Sequence, residues 1–130
     1  MTLAPLLAAP AIVQIHVAAA LISLVLAVWQ LSLRKGGQRH HLLGWVFVIA
    51  MAVTAISSFW IAGLRHGKFS PIHVLSIVTL VSLPIAVIAR RQGNIARHKW
   101  TMIGLVSGLV IAGTFTLLPG RIMHRALFSL

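Results

Sequence analysis

Four long apolar stretches separated by short polar turns organise the chain, over residues 11–33, 42–64, 72–89 and 100–118. Each is close to the ~20 residues needed to cross a ~30 Å hydrocarbon core at 1.5 Å per residue. The pattern predicts an all-α integral membrane four-helix bundle, one domain over 1–130, with an interfacial tail over 119–130. No basic residue precedes Arg34, so the first run reads as a retained span rather than a cleaved leader. Within it His16, Ser23 and Gln30 recur every seven residues and share a face that should turn into the bundle.

The later runs carry their own signals. Trp45 and Trp60 mark the two ends of the second, and Ala52, Ala55, Ser57 and Ser58 allow close helix contact. Ser70-Pro71 is a helix start, and Pro84 should kink the third run, with Ser76, Thr79 and Ser82 able to bond the freed carbonyls. Gly104, Gly108 and Ala112 predict a close-packing face on the fourth.

An offset of 57 residues superposes Ile15-His16-Val17 on Ile72-His73-Val74, Arg34 on Arg91, Gly36 on Gly93, His41 on His98 and Gly63 on Gly120. Between Ile15 and Gly63 this makes 10 identities in 49 positions. The chain therefore reads as two tandem helical hairpins, parallel repeats that each bear histidines.

Composition narrows the chemistry. There is no Asp or Glu, which removes carboxylate acid–base pairs, acid-containing triads, hard-cation cages and the usual acidic proton relays. There is no Cys, hence no thiolate zinc, iron–sulfur or covalent haem site, and no Tyr. Seven histidines are the side chains left to titrate near neutrality. Catalytic residues are therefore not expected, and the chain reads as a binding or electron-carrying protein rather than a hydrolase or solute transporter.

The net charge of +11 lies in turns between apolar runs. That distribution offers no soluble face to a nucleic acid and points to the anionic headgroups of membrane lipids. The turns 34–41 and 90–99 hold seven Lys and Arg, against four in the 65–71 turn and the tail. The positive-inside rule then places both termini outside the cytoplasm.

The segments HHLLGW (40–45), SSFW (57–60), FSPIHVLS (69–76), ARHKWTM (96–102) and FTLLPGR (115–121) resemble a bacterial family of four-helix inner-membrane proteins of unknown function. The resemblance covers nearly the whole chain and implies a multi-pass protein of the bacterial inner membrane, with no activity carried over.

In an up-down bundle the first and third spans lie on one diagonal and the second and fourth on the other. His16 and His73 then form a pair at the outer face, and His41 and His98 a pair at the cytoplasmic face. Two facing imidazoles are what a six-coordinate haem b requires. Small residues Ala19, Ala20 and Ser23, and Gly108 and Ala112, leave width for a macrocycle, and Arg39, Arg97 and Arg121 are candidate partners for its propionates. The layout is similar in architecture to the transmembrane di-haem cytochromes b. A haem-binding electron carrier is the first expectation. The alternative is a non-catalytic accessory or assembly subunit of a larger membrane complex, or a homo-oligomer.

Overall fold

The computed structural model describes residues 4–32, 37–64 and 71–115, and all of its regular structure is helical. A single turn, α1 (Ala4–Leu7), precedes four long helices: α2 (Ala11–Ser32), α3 (Gln38–Leu64), α4 (Pro71–Arg91) and α5 (Ile95–Phe115). The chain is all-α, as its hydropathy predicts. Consecutive long helices pack side by side, α2 on α3, α3 on α4 and α4 on α5, and a slighter α2–α5 contact closes the ring. Between the diagonal partners α2/α4 and α3/α5 no backbone contact forms among the described residues.

Among the described residues, helices α2, α3 and α4 are each long and apolar enough to cross a membrane, while the end of the fourth expected span, 116–118, and the expected interfacial tail, 119–130, lie outside the described residues. Helix α5 matches them in length and packs alongside. Its first turns, however, include Arg97, His98 and Lys99, which the sequence reading had left in a turn.

Local chemistry explains that difference. Helix α4 ends in a Schellman closure, with Gly93 at φ 76°, the Gly93 amide donating to Arg90 O at 3.1 Å and the Asn94 amide to Ala89 O at 2.9 Å. Asn94 then caps the next helix, its Oδ1 accepting from the Arg97 amide at 3.1 Å. One glycine and one asparagine so stop a helix and start the next within three residues, and the basic residues become helical. The α2–α3 turn is similarly short, since α3 starts at Gln38 rather than Leu42. His41 and His98 each become the fourth residue of their helix.

The interior divides into two halves. Leu26, Ala27, Phe47, Met51, Leu83, Ala86, Leu105 and Leu109 form one core cluster. Leu26, Ala27, Phe47, Leu83 and Ala86 lie in the half of the bundle nearer the α2–α3 and α4–α5 turns, where Phe47 is only 2% exposed. Met51 and Leu105 lie at mid-helix and Leu109 one turn beyond. Towards the opposite end the buried side chains become small: Ala19, Ala55, Ser57, Ser58 and Ser76. Hydroxyls there fold back on their own helix, Ser23 onto Ala19 O at 2.8 Å and Thr54 onto Ala50 O at 2.8 Å. That contact satisfies a hydroxyl where no water is available. Helix α4 continues through Pro84, and Thr79 donates to Leu75 O at 2.9 Å rather than to the Leu80 carbonyl that Pro84 deprives of a donor.

The glycine face of α5 is only partly used. A Cβ on Gly108 would meet Leu75 Cδ1 at 3.3 Å, so α4 and α5 approach closely there, whereas a Cβ on Gly104 would meet nothing within 4 Å. Replacement of these glycines should separate conformational need from packing. Gly93→Ala is expected to cost about 1–2 kcal/mol, because a Cβ is disfavoured at positive φ. Gly104→Ala should be neutral or stabilising by up to about 1 kcal/mol through helix propensity. Unfolding of both variants in mixed micelles checks the pair; equal losses would contradict the assignment of Gly93 to the helix stop.

Candidate functional site

The seven-residue row on α2 turns inward as its spacing predicts, and each member finds a partner there. Ser23 is fully buried, and the Gln30 amide donates from Nε2 to the His40 carbonyl on α3 at 2.9 Å. His16 reaches across to the far half of α3. Its Nδ1 lies 3.0 Å from Thr54 O and 2.8 Å from Ser57 Oγ. Ser57 and Ser58 also donate to Thr54 O, at 3.0 and 2.9 Å, so one carbonyl gathers three side-chain contacts.

This geometry assigns a tautomer. A carbonyl oxygen can only accept, so the proton must sit on Nδ1 of His16. Nε2 then carries a bare lone pair and makes no hydrogen bond to a described residue. The same arrangement recurs at the other end of the bundle, where His98 Nδ1 lies 2.9 Å from Ala86 O on α4. In both cases a histidine near a helix start is held by a main-chain carbonyl of the neighbouring helix. By this bond His16 matches His98.

His73 sits on α4 with its ring 5.7 Å from that of Phe59, inclined at 53°. His16 and His73 therefore meet α3 between Thr54 and Phe59, a rise of ~7.5 Å. They approach it from different flanks, since residues 57 and 59 lie on different faces of a helix. The two rings thus meet α3 within about a turn and a half of each other but on nearly opposite faces of it, and no contact joins His16 to His73 among the described residues. At the opposite end His98 is half-buried beside Ala86, while His41 is exposed on the first turn of α3. The interior next to them is occupied by the cluster around Phe47 and Leu105.

Among the expected propionate partners, Arg39 and Arg97 are exposed at the end that carries His41 and His98, and Arg121 lies outside the described residues. Among the described residues no three metal-ligating side chains gather.

Sequence reasoning missed which carbonyls receive the imidazoles, and it missed the Asn94 cap. The cap was legible in principle, since Gly-Asn before a helical run is a stop–start signal.

The apolar helices and their ring packing define an all-α membrane protein. The model of a family described as "Predicted membrane protein (DUF2306)" matches residues 13–128, and the chain belongs to that family. Comparison with curated proteins and with solved structures gave no match.

The tautomer is open to direct measurement. In ¹⁵N-histidine-labelled protein in lipid, His16 should show a protonated Nδ1 and a pyridine-like Nε2. Ser57→Ala should leave that assignment in place, because Thr54 O still accepts, at a stability cost of about 1 kcal/mol for one lost hydrogen bond. A protonated Nε2 at His16 would contradict the geometry.

Proposed function

We propose that the protein is a b-type haem-binding electron carrier of the bacterial inner membrane, in which His16 and His73 at the outer end of the bundle would hold the haem. The observation that carries this reading is the carbonyl-fixed imidazole of His16. Metal-ligating histidines commonly donate their second ring N–H to a carbonyl or carboxylate, which sets the tautomer and strengthens the donor nitrogen. A haem b supplies one-electron chemistry at its iron.

This chain's own residues do the rest. Thr54 O and Ser57 Oγ keep the proton on Nδ1 and aim the ring. His73, on the diagonal helix, offers the second imidazole by turning from Phe59 towards the bundle axis. The buried residues at this end (Ala19, Ala55, Ser57, Ser76) are small, so a group entering between the helices would displace little side-chain bulk. His98 presents the same bare nitrogen there, but its expected partner His41 is exposed, so the proposal rests on the outer pair.

Orientation has its own support. Trp29, Trp45 and Trp100 are exposed at the end bearing Arg39, Arg90, Arg91, Arg97 and Lys99, and Trp60 at the other. Aromatic rings and cations at one level mark a headgroup zone, and the excess of cations supports a cytoplasmic orientation for that end.

Protein purified after expression with ample haem should show a reduced-minus-oxidised spectrum of low-spin b-type haem. His16→Ala and His73→Ala should each abolish it, and His40→Gln should retain it. A colourless wild-type preparation overturns the reading and leaves the accessory-subunit alternative. For orientation, the chain's lack of cysteine makes Gln92→Cys a unique label site, expected to react with an impermeant maleimide from the cytoplasmic side only; reaction from the periplasm reverses the topology.

A further inference from the structure

The cations of this chain have no side-chain anion anywhere in the sequence to pair with, because it contains no Asp or Glu. Two of them are instead laid on tryptophan faces. Arg91 Cζ stands 6.0 Å from the centroid of the Trp45 ring, and Lys99 Nζ stands 5.4 Å from that of Trp100. The two cases differ in how they are built. Lys99 and Trp100 are sequence neighbours on α5. Arg91 and Trp45 join two helices, the last turn of α4 to the second turn of α3.

A cation over a ring keeps its own hydrogen-bond donors free, since the ring takes charge and no N–H geometry. The Arg91 guanidinium makes no hydrogen bond to a described residue, so its planar fork of N–H donors is held in place with nothing to bind. Arg90 is exposed beside it, and so is His41, one turn before Trp45 on α3. One turn deeper into the apolar zone, Ile49 on α3 and Ile88 on α4 are also exposed. The corner therefore offers a cation fork at headgroup depth and an apolar surface below it. A fork of that kind fits a phosphate, and an apolar surface continuous with it fits an acyl chain.

We propose that the α3–α4 corner at Trp45 and Arg91 is a binding site for the phosphate of an anionic phospholipid, its acyl chain lying along Ile49 and Ile88. The site is separate from the histidines and does not depend on haem. The lipid binds the corner through charge-assisted hydrogen bonds to Arg91, and Trp45 holds the guanidinium towards the headgroups. It ties α3 to α4 where no intramolecular ion pair is available to do so.

Trp45 itself reports the test. A variant carrying Trp29→Phe, Trp60→Phe and Trp100→Phe, shown by circular dichroism to keep its helix content, is reconstituted in phosphatidylcholine vesicles. A minor fraction of either phosphatidylglycerol or phosphatidylcholine in these vesicles carries brominated chains. Bromine quenches the ring only on contact, so the ratio of the two quenching levels reads local enrichment. Phosphatidylglycerol is expected to be enriched about fivefold, the factor for roughly 1 kcal/mol at one interfacial cation. Arg91→Gln should remove most of that excess, and Arg91→Lys, which keeps charge but loses the fork, should lower it to about twofold. Lys99→Gln should leave it unchanged. Equal quenching by the two lipids overturns the proposal. So does an equal fall with Lys99→Gln, which would mean diffuse surface charge. Displacement of the brominated phosphatidylglycerol by inorganic phosphate, but not by chloride at equal ionic strength, would assign the fork to a soluble anion and overturn the lipid assignment.

Discussion

A chain without a single side-chain carboxylate leaves its donors few strong acceptors besides the main-chain carbonyl, and the structure is built around that scarcity. Many of the polar side chains bond such an oxygen. Gln14 ties α1 to α2 through Leu7 O and Ala9 O, Gln30 takes His40 O, and the buried hydroxyls turn back on their own helices. His16 and His98 take Thr54 O and Ala86 O from the helices beside them. In a low-dielectric interior an unanswered donor costs on the order of 1–3 kcal/mol, so these bonds limit how the helices can rotate against each other.

The same scarcity has a chemical consequence. A carbonyl beside an imidazole accepts the Nδ1 proton and leaves Nε2 to serve as a lone-pair donor. Two histidines, one towards each end of the bundle, share this contact with a carbonyl of the neighbouring helix. An imidazole held only for packing has no need of one particular tautomer. Nor does it need a neighbour such as Ser57, whose hydroxyl lies 2.8 Å from the same ring nitrogen. This is why the fixed tautomer, rather than the repeat, carries the functional reading.

Much of the architecture was legible in residue order. The apolar runs mark the helices because each is long enough to cross hydrocarbon. Pro71 marks the start of α4, and the row His16, Ser23, Gln30 shows which face of α2 turns inward. The basic segments misled, since charge reads as turn when caps go unnoticed. Asn94 and Gly93 extend helix into Arg97-His98-Lys99. The acceptors of the imidazoles were not legible at all. Every residue has a carbonyl, and which one an imidazole finds depends on the rotation and stagger of two helices, quantities set by packing around Phe47, Met51 and Leu105. The repeat encourages pairing His16 with His73 by likeness, but hydrogen bonding depends on what lies opposite a side chain, and α3 lies opposite His16.

The division of the interior follows from the same logic. Large side chains fill the half near the short turns, where α2–α3 and α4–α5 are tethered within a few residues and can close tightly on Phe47. Farther from those tethers the buried positions go to serine and alanine. Small hydroxyls satisfy themselves on their own helices and contribute little volume, so that half is held by hydrogen bonds to carbonyls more than by interdigitated bulk. Such an arrangement tolerates a guest between helices better than a close-packed core does, because admitting one displaces few dispersion contacts. The end of the molecule with the least packing to lose is thus also the end where His16 holds a bare nitrogen. That coincidence of small side chains and an aimed donor ties the fold to the chemistry proposed for it.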